Sequence, residues 1–381
     1  MSSIYIDHAA TTPMAESALL AMGAQLAQLG NPSSLHTHGR ATRKSLEDAR
    51  EVIAKEVDCL PSEVIFTASG TEADNIALKG LYWAGREKGK HAVVISAIEH
   101  HAIHVSAQWL QTHESAKVIE IPVKSNGVID LDFLKNLVAT RANEIAVISV
   151  MHANNETGVV QPIAEVVALA GEIPVHTDAI QSFKKTPLSF SALGVTAMSL
   201  SAHKIGGPFG VGALILRRAV EIPTLLHGGG QERDIRSGTL NAPSIVAFAA
   251  AAKGVHYNAT HVATLRDRFI EAVLVAIPDA TVNGLQSARL PGIVNVTFPG
   301  TQSDTLLLLM DGYHISASTG SACNAGVHEA SHVLLAMGHS EITAQSSLRF
   351  SFGATSTTSD CDYVLSVLPD VITRARAANL K

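Results

Sequence analysis

Short apolar runs alternate with helical patterns between about residues 60 and 216. The seven runs read VIFTA, AVVISA, VIEIPV, IAVISV, IPVHTD, AMSLSA and VGALILRR. Apolar runs of this length, bounded by turn residues, are typical of buried strands, and their alternation with helices indicates β-α-β units. We therefore predict an α/β fold with a large, mostly parallel sheet flanked by helices.

The segments on either side of this region predict further elements. Residues 15–29 and 41–57 have helical periodicity. After Gly254 the pattern changes to a helix over 262–277, strand-like IVNVTF, a helix over 304–310, and strand-like HISAS and RFSFG. This second pattern predicts a smaller α+β domain that follows the large one.

Composition excludes several function classes. The 381 residues are 46% hydrophobic and 16% charged, with a net charge of -6, which favours a compact enzyme and offers no basic face for nucleic acid. Cys59, Cys323 and Cys361 are far apart, which fits a reducing compartment better than a disulfide framework. No apolar run approaches the roughly 18 residues that span a bilayer, and the N-terminus does not resemble a signal peptide. We expect a cytoplasmic protein without membrane or nucleic-acid contacts.

Polar side chains follow five of the predicted strands. They are Ser69 to Glu72, Glu99 to His101, His152 to Glu156, Asp178 with Gln181, and Ser201 with His203 and Lys204. In open α/β sheets ligands bind beyond the carboxyl ends of the strands. One polar loop would mean little, but five together favour a single binding pocket.

Three of these groups suit one cofactor. Ser69-Gly70-Thr71 opens a helix whose N–H groups could bind a phosphate, although Thr71 to Asp74 equally matches a capping box. Lys204 follows an apolar strand, where loss of hydration favours Schiff-base chemistry. Asp178 could keep a pyridine nitrogen protonated. Lysine, acid and anion cradle together are what a pyridoxal 5'-phosphate site requires.

The motifs around these residues resemble those of a known family. Matching segments are YIDHAATTP, GNPSSLH, FTASGTEADN, MHANNETGVVQPI, HTDAIQ, SAHKIGGPFGVG, HGGGQERDIRSGT, STGSAC and SSLRFSFG. In this order they resemble the cysteine desulfurases of iron-sulfur cluster assembly, which are class V aminotransferase-like, fold-type I pyridoxal phosphate enzymes. The resemblance covers nearly the whole chain. With the change of pattern after Gly254, it implies a large cofactor-binding domain over 14–258 and a small domain formed by 1–13 and 259–381.

The resemblance implies roles for residues around the cofactor. Lys204 matches the Schiff-base lysine, Asp178 the partner of the pyridine nitrogen and Gln181 the partner of the ring hydroxyl. His100 matches an imidazole stacked on the cofactor with an acid/base role, although His101 leaves the register open. The phosphate-binding positions are matched by Gly70, Thr71, Ser201 and His203.

Further matches concern the substrate and a second subunit. Asn155 matches a position that contacts cofactor and substrate, and Arg349 matches the residue that holds the substrate carboxylate. Arg236 is a competing candidate for the carboxylate, and a buried ion pair is the alternative interpretation of Arg349. Thr239 matches a phosphate contact donated by the neighbouring subunit, which implies a homodimer.

The stretch STGSACNAGVHEASH contains the residue that would carry sulfur. Cys323 matches the family's nucleophilic thiolate. The implied activity converts L-cysteine to L-alanine and transfers sulfur to Cys323 as a persulfide, then to a scaffold or carrier protein. Selenocysteine lyase and an aminotransferase on the same fold are alternatives. A carrier without catalysis would not need Lys204 and Asp178.

The same stretch matches the zinc-hydrolase pattern H-E-x-x-H through His328, Glu329 and His332. Two histidines four apart share a helix face, so zinc hydrolysis is a hypothesis of a different class. Because no third ligand is evident, we expect no metal and a helix that begins here. The acceptor stays open among cluster assembly, thiolated tRNA and DNA sulfur modification, because many relatives extend past the position of Lys381 to dock a scaffold.

Overall fold

The computed structural model describes residues 3–320 and 330–379. Its strands are β1 Ile4–Tyr5, β2 Val64–Thr67, β3 Ala92–Ser96, β4 Lys117–Ile121, β5 Ile145–Ser149, β6 Val175–Asp178, β7 Ala197–Ser201, β8 Gly212–Leu216, β9 Thr281–Val282, β10 Ile293–Thr297, β11 Ile315–Ser316 and β12 Ser347–Ser351. Its helices are α1 Glu16–Leu26, α2 Thr37–Glu56, α3 Gly70–Arg86, α4 His101–Glu114, α5 Leu131–Arg141, α6 Ile163–Ala170, α7 Phe190–Leu193, α8 Ala242–Gly254, α9 Ala259–Ala276, α10 Ser303–Gly312, α11 His332–Ala336, α12 Glu341–Ala344 and α13 Thr358–Asn379.

Seven strands form one large sheet in the order β2-β8-β7-β6-β5-β3-β4. The pairs among β3 to β7 are parallel, whereas β8 runs antiparallel to both β2 and β7. Each of the seven apolar runs contains one of these strands, so the prediction of a mostly parallel sheet is confirmed. The ends of β2, β3, β5, β6 and β7 that carry polar groups meet at one edge of the sheet.

Helices cover both faces of this sheet, which explains why its central strands are apolar throughout. One buried cluster joins the sheet to α2, α5, α6 and α8 through side chains such as Leu46, Leu134 and Phe248. A second cluster joins the other face to α3 and α4 through Ile76 and Ile103. No helix in residues 3–320 or 330–379 is long and apolar enough to cross a membrane.

A separate core lies around the later elements. β9, β10 and β12 form an antiparallel sheet, and α9, α10 and α13 pack with it around Phe269 and Phe350. β1 pairs in parallel with β11, and Ile6 is buried in the same core. The N-terminal segment, residues 6–12, then runs from this core to the edge of the large sheet.

Candidate active site

A cavity of about 280 Å³ lies at the sheet edge where the polar strand ends meet. It brings together the predicted site residues that are described, with the exceptions of Thr239 and of the competing candidate Arg236. Its walls are formed by Ala9, Ala10, Ser69, Gly70, Thr71, His100, His101, Met151, Asn155, Glu156, Asp178, Ile180, Gln181, Ser201, His203, Lys204, Gly320, His332 and Arg349. We call this space the catalytic cavity.

The start of α3 forms one wall, and its cap differs from the predicted one. Ser69, not Thr71, is the N-cap: its Oγ accepts a hydrogen bond from the Glu72 N–H at 3.0 Å, and Glu72 Oε2 accepts one from the Ala68 N–H at 2.5 Å. The capping box predicted at Thr71 to Asp74 is therefore wrong, because the helix begins two residues earlier. The Thr71 side chain is left to line the catalytic cavity.

Gly70 is required by close packing at this helix start. A Cβ built on it would lie 2.2 Å from Ile180 Cδ1 and 3.3 Å from Ser201 Cβ. A side chain here would displace the loop after β6 or fill the space beside the helix N–H groups. The bare backbone allows an anion to approach those groups closely.

Asp178 ends β6 at the floor of the cavity and is 5% exposed. Its Oδ1 accepts a hydrogen bond from the Ile180 N–H at 2.9 Å. Burial raises the pKa of this carboxyl to about 6, while that hydrogen bond and the charge of Lys204 act in the opposite direction.

Two further carboxyls lie buried within electrostatic reach of Asp178. The pKa values of Asp74 and Glu99 are raised by burial first and by the charge of Asp178 second. Glu99 Oε2 lacks a hydrogen-bond partner, and Asp74 Oδ1 lies 3.6 Å from Nε2 of His176, an imidazole whose pKa is lowered to about 3 by burial. We call Asp74, Glu99 and Asp178 the buried acid cluster, because such a set favours a ligand that brings positive charge.

Lys204 and Gln181 meet the N-terminal segment at the same carbonyl. Lys204 Nζ donates to the carbonyls of Ala9 and Ala10, both at 2.7 Å. Gln181 Nε2 donates to the Ala9 carbonyl at 2.8 Å, and Gln181 Oε1 accepts from Lys185 Nζ at 3.0 Å. The N-terminal segment thereby holds both residues at the cavity wall.

Two of the histidines that line the cavity, His100 and His203, are neutral at physiological pH. Burial lowers the pKa of His100 to about 4, and the charge of Lys204 adds to this effect. Burial does the same for His203, again to about 4. His100 caps α4 by accepting the Ala102 N–H at Nδ1 over 3.1 Å, so its ring proton is on Nε2. His101 also lines the cavity.

Arg349 reaches the cavity from β12 and is also paired. Its guanidinium bonds Asp7 Oδ1 at 2.8 Å and the Asn155 carbonyl at 3.0 Å, while its Nε has no partner. The pair with Asp7 is the buried ion pair of the alternative interpretation, and Arg349 also lines the catalytic cavity. Arg236 instead pairs with Glu72 at 2.9 Å and does not line the catalytic cavity.

Glu156 is a buried cavity residue that the sequence did not single out. Its Oε2 accepts a hydrogen bond from Ser331 Oγ at 2.5 Å, and a Cβ on Gly320 would lie 2.1 Å from the same oxygen. Gly320 and Ser331 stand on either side of residues 321–329 in the chain. The predicted thiol Cys323 lies outside the described residues.

The zinc pattern is only partly visible. His328 and Glu329 lie outside the described residues, whereas His332 begins α11 and its Nε2 lies 2.9 Å from the Glu99 carbonyl. Within residues 3–320 and 330–379 no three His, Cys, Asp or Glu side chains are arranged to hold a metal ion.

A second cavity of about 260 Å³ lies behind Lys204. Its walls are mainly apolar and include Met14, Ile205, Val255 and Phe352, together with Lys185. It shares Lys204 with the catalytic cavity, and the N-terminal segment contributes to both. The apolar surroundings explain why the Lys185 side chain, 8% exposed, is poorly hydrated.

The residues present fit pyridoxal 5'-phosphate. The buried carboxyl of Asp178 lines the cavity and matches a cationic ring nitrogen, and the open backbone at Gly70 matches a phosphate. Lys204 lines the same cavity, where its amine could bind an aldehyde. An anion site, a primary amine and a carboxylate therefore line one cavity of suitable size.

Comparisons with known proteins agree with this chemistry. The family model described as aminotransferase class-V matches residues 4–364. An IscS-like cysteine desulfurase of Mycobacterium tuberculosis is 49% identical, over 99% of this chain and 98% of the relative. A solved NifS-like protein has a TM-score of 0.89 and 34% identity, over 98% of this chain and 100% of that one. SspA, solved in complex with cysteine, has a TM-score of 0.82 and 32% identity, over 93% and 100%.

Proposed function

The chain belongs to the class-V aminotransferase family of fold-type I enzymes and is a pyridoxal 5'-phosphate-dependent cysteine desulfurase, and we propose that the catalytic cavity is its active site. The observation that carries this proposal is the convergence of Lys204, Asp178 and the start of α3 on one cavity. Neither an anion site nor a buried acid alone would suggest this chemistry.

Each side of the cavity would hold one part of the cofactor. Lys204 would bind the aldehyde, Asp178 would keep the ring nitrogen protonated and Gln181 would contact the ring oxygen. The phosphate would be bound by Gly70, Thr71, Ser201 and His203. When bound, the cofactor supplies an electron sink that eases loss of the substrate's α-proton and weakening of its carbon-sulfur bond.

His100 would stack on the cofactor ring and present its Nε2–H to the substrate. Because Nδ1 accepts the Ala102 N–H, the neutral ring is a donor towards the cavity. A proton-accepting role would require Nδ1 to release that backbone group, at the cost of about 1 kcal/mol that is usual for losing an N-cap contact.

Arg349 and Asn155 would hold the substrate amino acid. The planar guanidinium suits a carboxylate, and Arg349 lines the cavity from β12. Asp7, already bonded to Arg349 at 2.8 Å, would fix the direction of the fork. The cysteine bound to SspA supports the same type of ligand for this cavity.

Sulfur transfer would use the thiolate of Cys323. The thiolate attacks the substrate sulfur, a sulfur-sulfur bond forms, and the electron pair of the broken carbon-sulfur bond stays on the substrate carbon. That carbon takes up a proton, alanine leaves, and the enzyme retains a persulfide. An acceptor thiol, on a scaffold or carrier protein, then removes the outer sulfur.

The decisive experiment compares Cys323→Ser with Cys59→Ser in the holoenzyme. We expect Cys323→Ser to keep the yellow cofactor. The sulfur adduct should be absent from its intact mass spectrum, and its rate of alanine release should fall by at least a hundredfold. Cys59 is a suitable control because it is a half-buried thiol whose pKa is raised to about 12 by burial. Undiminished sulfur transfer by Cys323→Ser would refute the role of this thiol.

A homodimer with shared active sites belongs to the same proposal. Thr239 is exposed and does not line the catalytic cavity of its own chain, so a phosphate contact from it requires a second copy. Exposed leucines on and after α1 offer apolar surface for such contacts. They are Leu19, Leu20, Leu26, Leu29 and Leu35, each more than half exposed.

The domain division and location complete the proposal. A large domain over 14–258 and a small domain of 1–13 with 259–381 are supported by the separate core around Phe269, which includes Ile6. A cytoplasmic location is supported by the free thiols of Cys59 and Cys361. Limited proteolysis near residue 258, followed by separation of the fragments, tests the division.

A further inference from the structure

Lys185 is a buried lysine that the mechanism does not use. Its side chain is 8% exposed and lines the second cavity, not the catalytic one. Its Nζ donates a hydrogen bond to Gln181 Oε1 at 3.0 Å. The adjacent Lys184 has a left-handed backbone with φ of 63° and points to Glu56 instead. A buried amine is therefore directed at the amide next to the active site.

The partners of Gln181 determine which way its amide faces. Lys185 can only donate, at least as an ammonium, and the Ala9 carbonyl can only accept. The Gln181 oxygen is consequently on the Lys185 side, and its NH₂ group is on the side of Ala9, whose carbonyl also receives Lys204. Ala9 lines the catalytic cavity and Lys185 does not.

We propose that Lys185 is a positioning residue: it holds the Gln181 amide so that an N–H group, and not the carbonyl, faces the cofactor's ring oxygen. This rests on the proposed contact between Gln181 and that oxygen. A donor at this place favours the ionised form of the oxygen, whereas a reversed amide would favour the hydroxyl form.

The charges near Lys185 change its protonation state near neutral pH but do not remove its hydrogen bond to Gln181. Burial, followed by the charges of Lys204 and Arg349, lowers the pKa of Lys185 to about 7. The other titratable groups that respond to its charge are His8 and His203, which are neutral at that pH because the pKa of each is about 4. Both ammonium and amine carry N–H groups, so Lys185 can still donate to Gln181 after it loses its proton.

The test is a pH titration of the visible absorption of the holoenzyme. We expect Lys185→Met to raise the midpoint by about one pH unit, the tenfold change that follows from losing one hydrogen bond to a charged group. Gln181→Leu should give a similar rise, and the double variant should match Gln181→Leu alone. Lys185→Arg, which keeps the donor, should restore much of the original midpoint.

Lys184→Met is the matched control, because it removes a neighbouring positive charge without touching Gln181, and it should leave the midpoint unchanged. Additive shifts in the double variant would overturn the proposal, since Lys185 would then act through its charge alone. An unshifted Lys185→Met beside a shifted Gln181→Leu would overturn the positioning role only. No shift in either would overturn it together with the proposed contact of Gln181.

Discussion

At the residue scale, the buried carboxyl of Asp178 lowers the stability of the apoenzyme at neutral pH and is the proposed partner of the cofactor's ring nitrogen. This carboxyl shares a buried region with Asp74 and Glu99, and it accepts a hydrogen bond from the Ile180 N–H. A raised folded-state pKa means that the folded chain binds this proton more tightly than the unfolded chain does. Stability from Asp178 is thus full below its ordinary pKa of 3.8 and lost as pH rises to about 6.

We predict that Asp178→Asn stabilises the apoenzyme at pH 8 by about 1–3 kcal/mol, because it removes a buried charge and keeps the acceptor for the Ile180 N–H. The same change should weaken cofactor binding at least tenfold. Thermal unfolding of the apoenzyme and equilibrium titration with cofactor measure the two effects.

Glu99→Gln provides the control, because it removes a charge of the same cluster without removing the proposed partner of the ring nitrogen. It should stabilise the apoenzyme and leave cofactor affinity nearly intact. A destabilised Asp178→Asn apoenzyme would contradict the account of the buried acid cluster.

Residue chemistry was predictable where a side chain follows a buried strand. Asp178 and Lys204 were identified in this way, because the sheet edge is set by strand direction. Glu156 was named only as the end of a polar stretch after a strand, and Lys185 was not named. Their importance depends on burial by distant segments: Ser331 on Glu156, and the apolar second cavity beside Lys185. In the sequence Lys185 is only the second letter of a lysine pair.

At the element scale, the start of α3 separates helix capping from ligand binding. The sequence contains two overlapping patterns, Ser69 with Glu72 and Thr71 with Asp74, of which only the second was interpreted as a capping box. The structure uses the first, because Asp74 is fully buried near His176, 3.6 Å away, and cannot return to the helix terminus. Local spacing cannot distinguish two such patterns without knowing which face is buried.

We predict that Ser69→Ala mainly lowers stability, whereas Thr71→Ala mainly weakens binding. Ser69→Ala should lower the free energy of unfolding of the apoenzyme by about 1 kcal/mol, the usual cost of losing an N-cap. Thr71→Ala should change it by less than about 0.5 kcal/mol and should weaken cofactor or inorganic phosphate binding severalfold. Urea unfolding measures the stability of each variant, and competition with inorganic phosphate measures binding. Equal destabilisation by the two substitutions would contradict the assignment of Ser69 as the N-cap.

Six of the seven strands of the large sheet were predictable because each is an apolar run buried on both faces, whereas the edge strand β4 has exposed Lys117 and Glu120. The direction of β8 was less accessible. Residues 202–211 are too few for a crossover helix, so β8 must return antiparallel to β7, but the run VGALILRR reads the same in either direction. Connection length, more than residue type, carries this information.

At the scale of the whole molecule, the proposed dimer places one residue of each site on another chain. Exposed Thr239 and the apolar surface of α1 belong to the large-sheet side of the molecule, and both are available for a partner. Dimerisation and cofactor binding would then be linked, since each stabilises the other by mass action.

We predict that mixed dimers of one Thr239→Ala chain and one Lys204→Ala chain, isolated with two affinity tags, have the wild-type cofactor affinity at their one active site. All activity comes from the chain that keeps Lys204, and its phosphate would contact the intact Thr239 of the other chain. The cofactor concentration for half-maximal activity reports this. A value equal to that of the Thr239→Ala homodimer, or a monomer in sedimentation, would refute the shared site.

The buried acid cluster also bears on how long the enzyme survives in a cell. Without the cofactor, the three buried carboxyls repel one another, so the apoenzyme unfolds locally more often than the holoenzyme does. Proteases degrade this locally unfolded form in proportion to its population. Cofactor supply should therefore set the amount of enzyme as well as the fraction that is active. A shortage of pyridoxal 5'-phosphate would therefore lower the amount of the protein in the cell, and not only its activity.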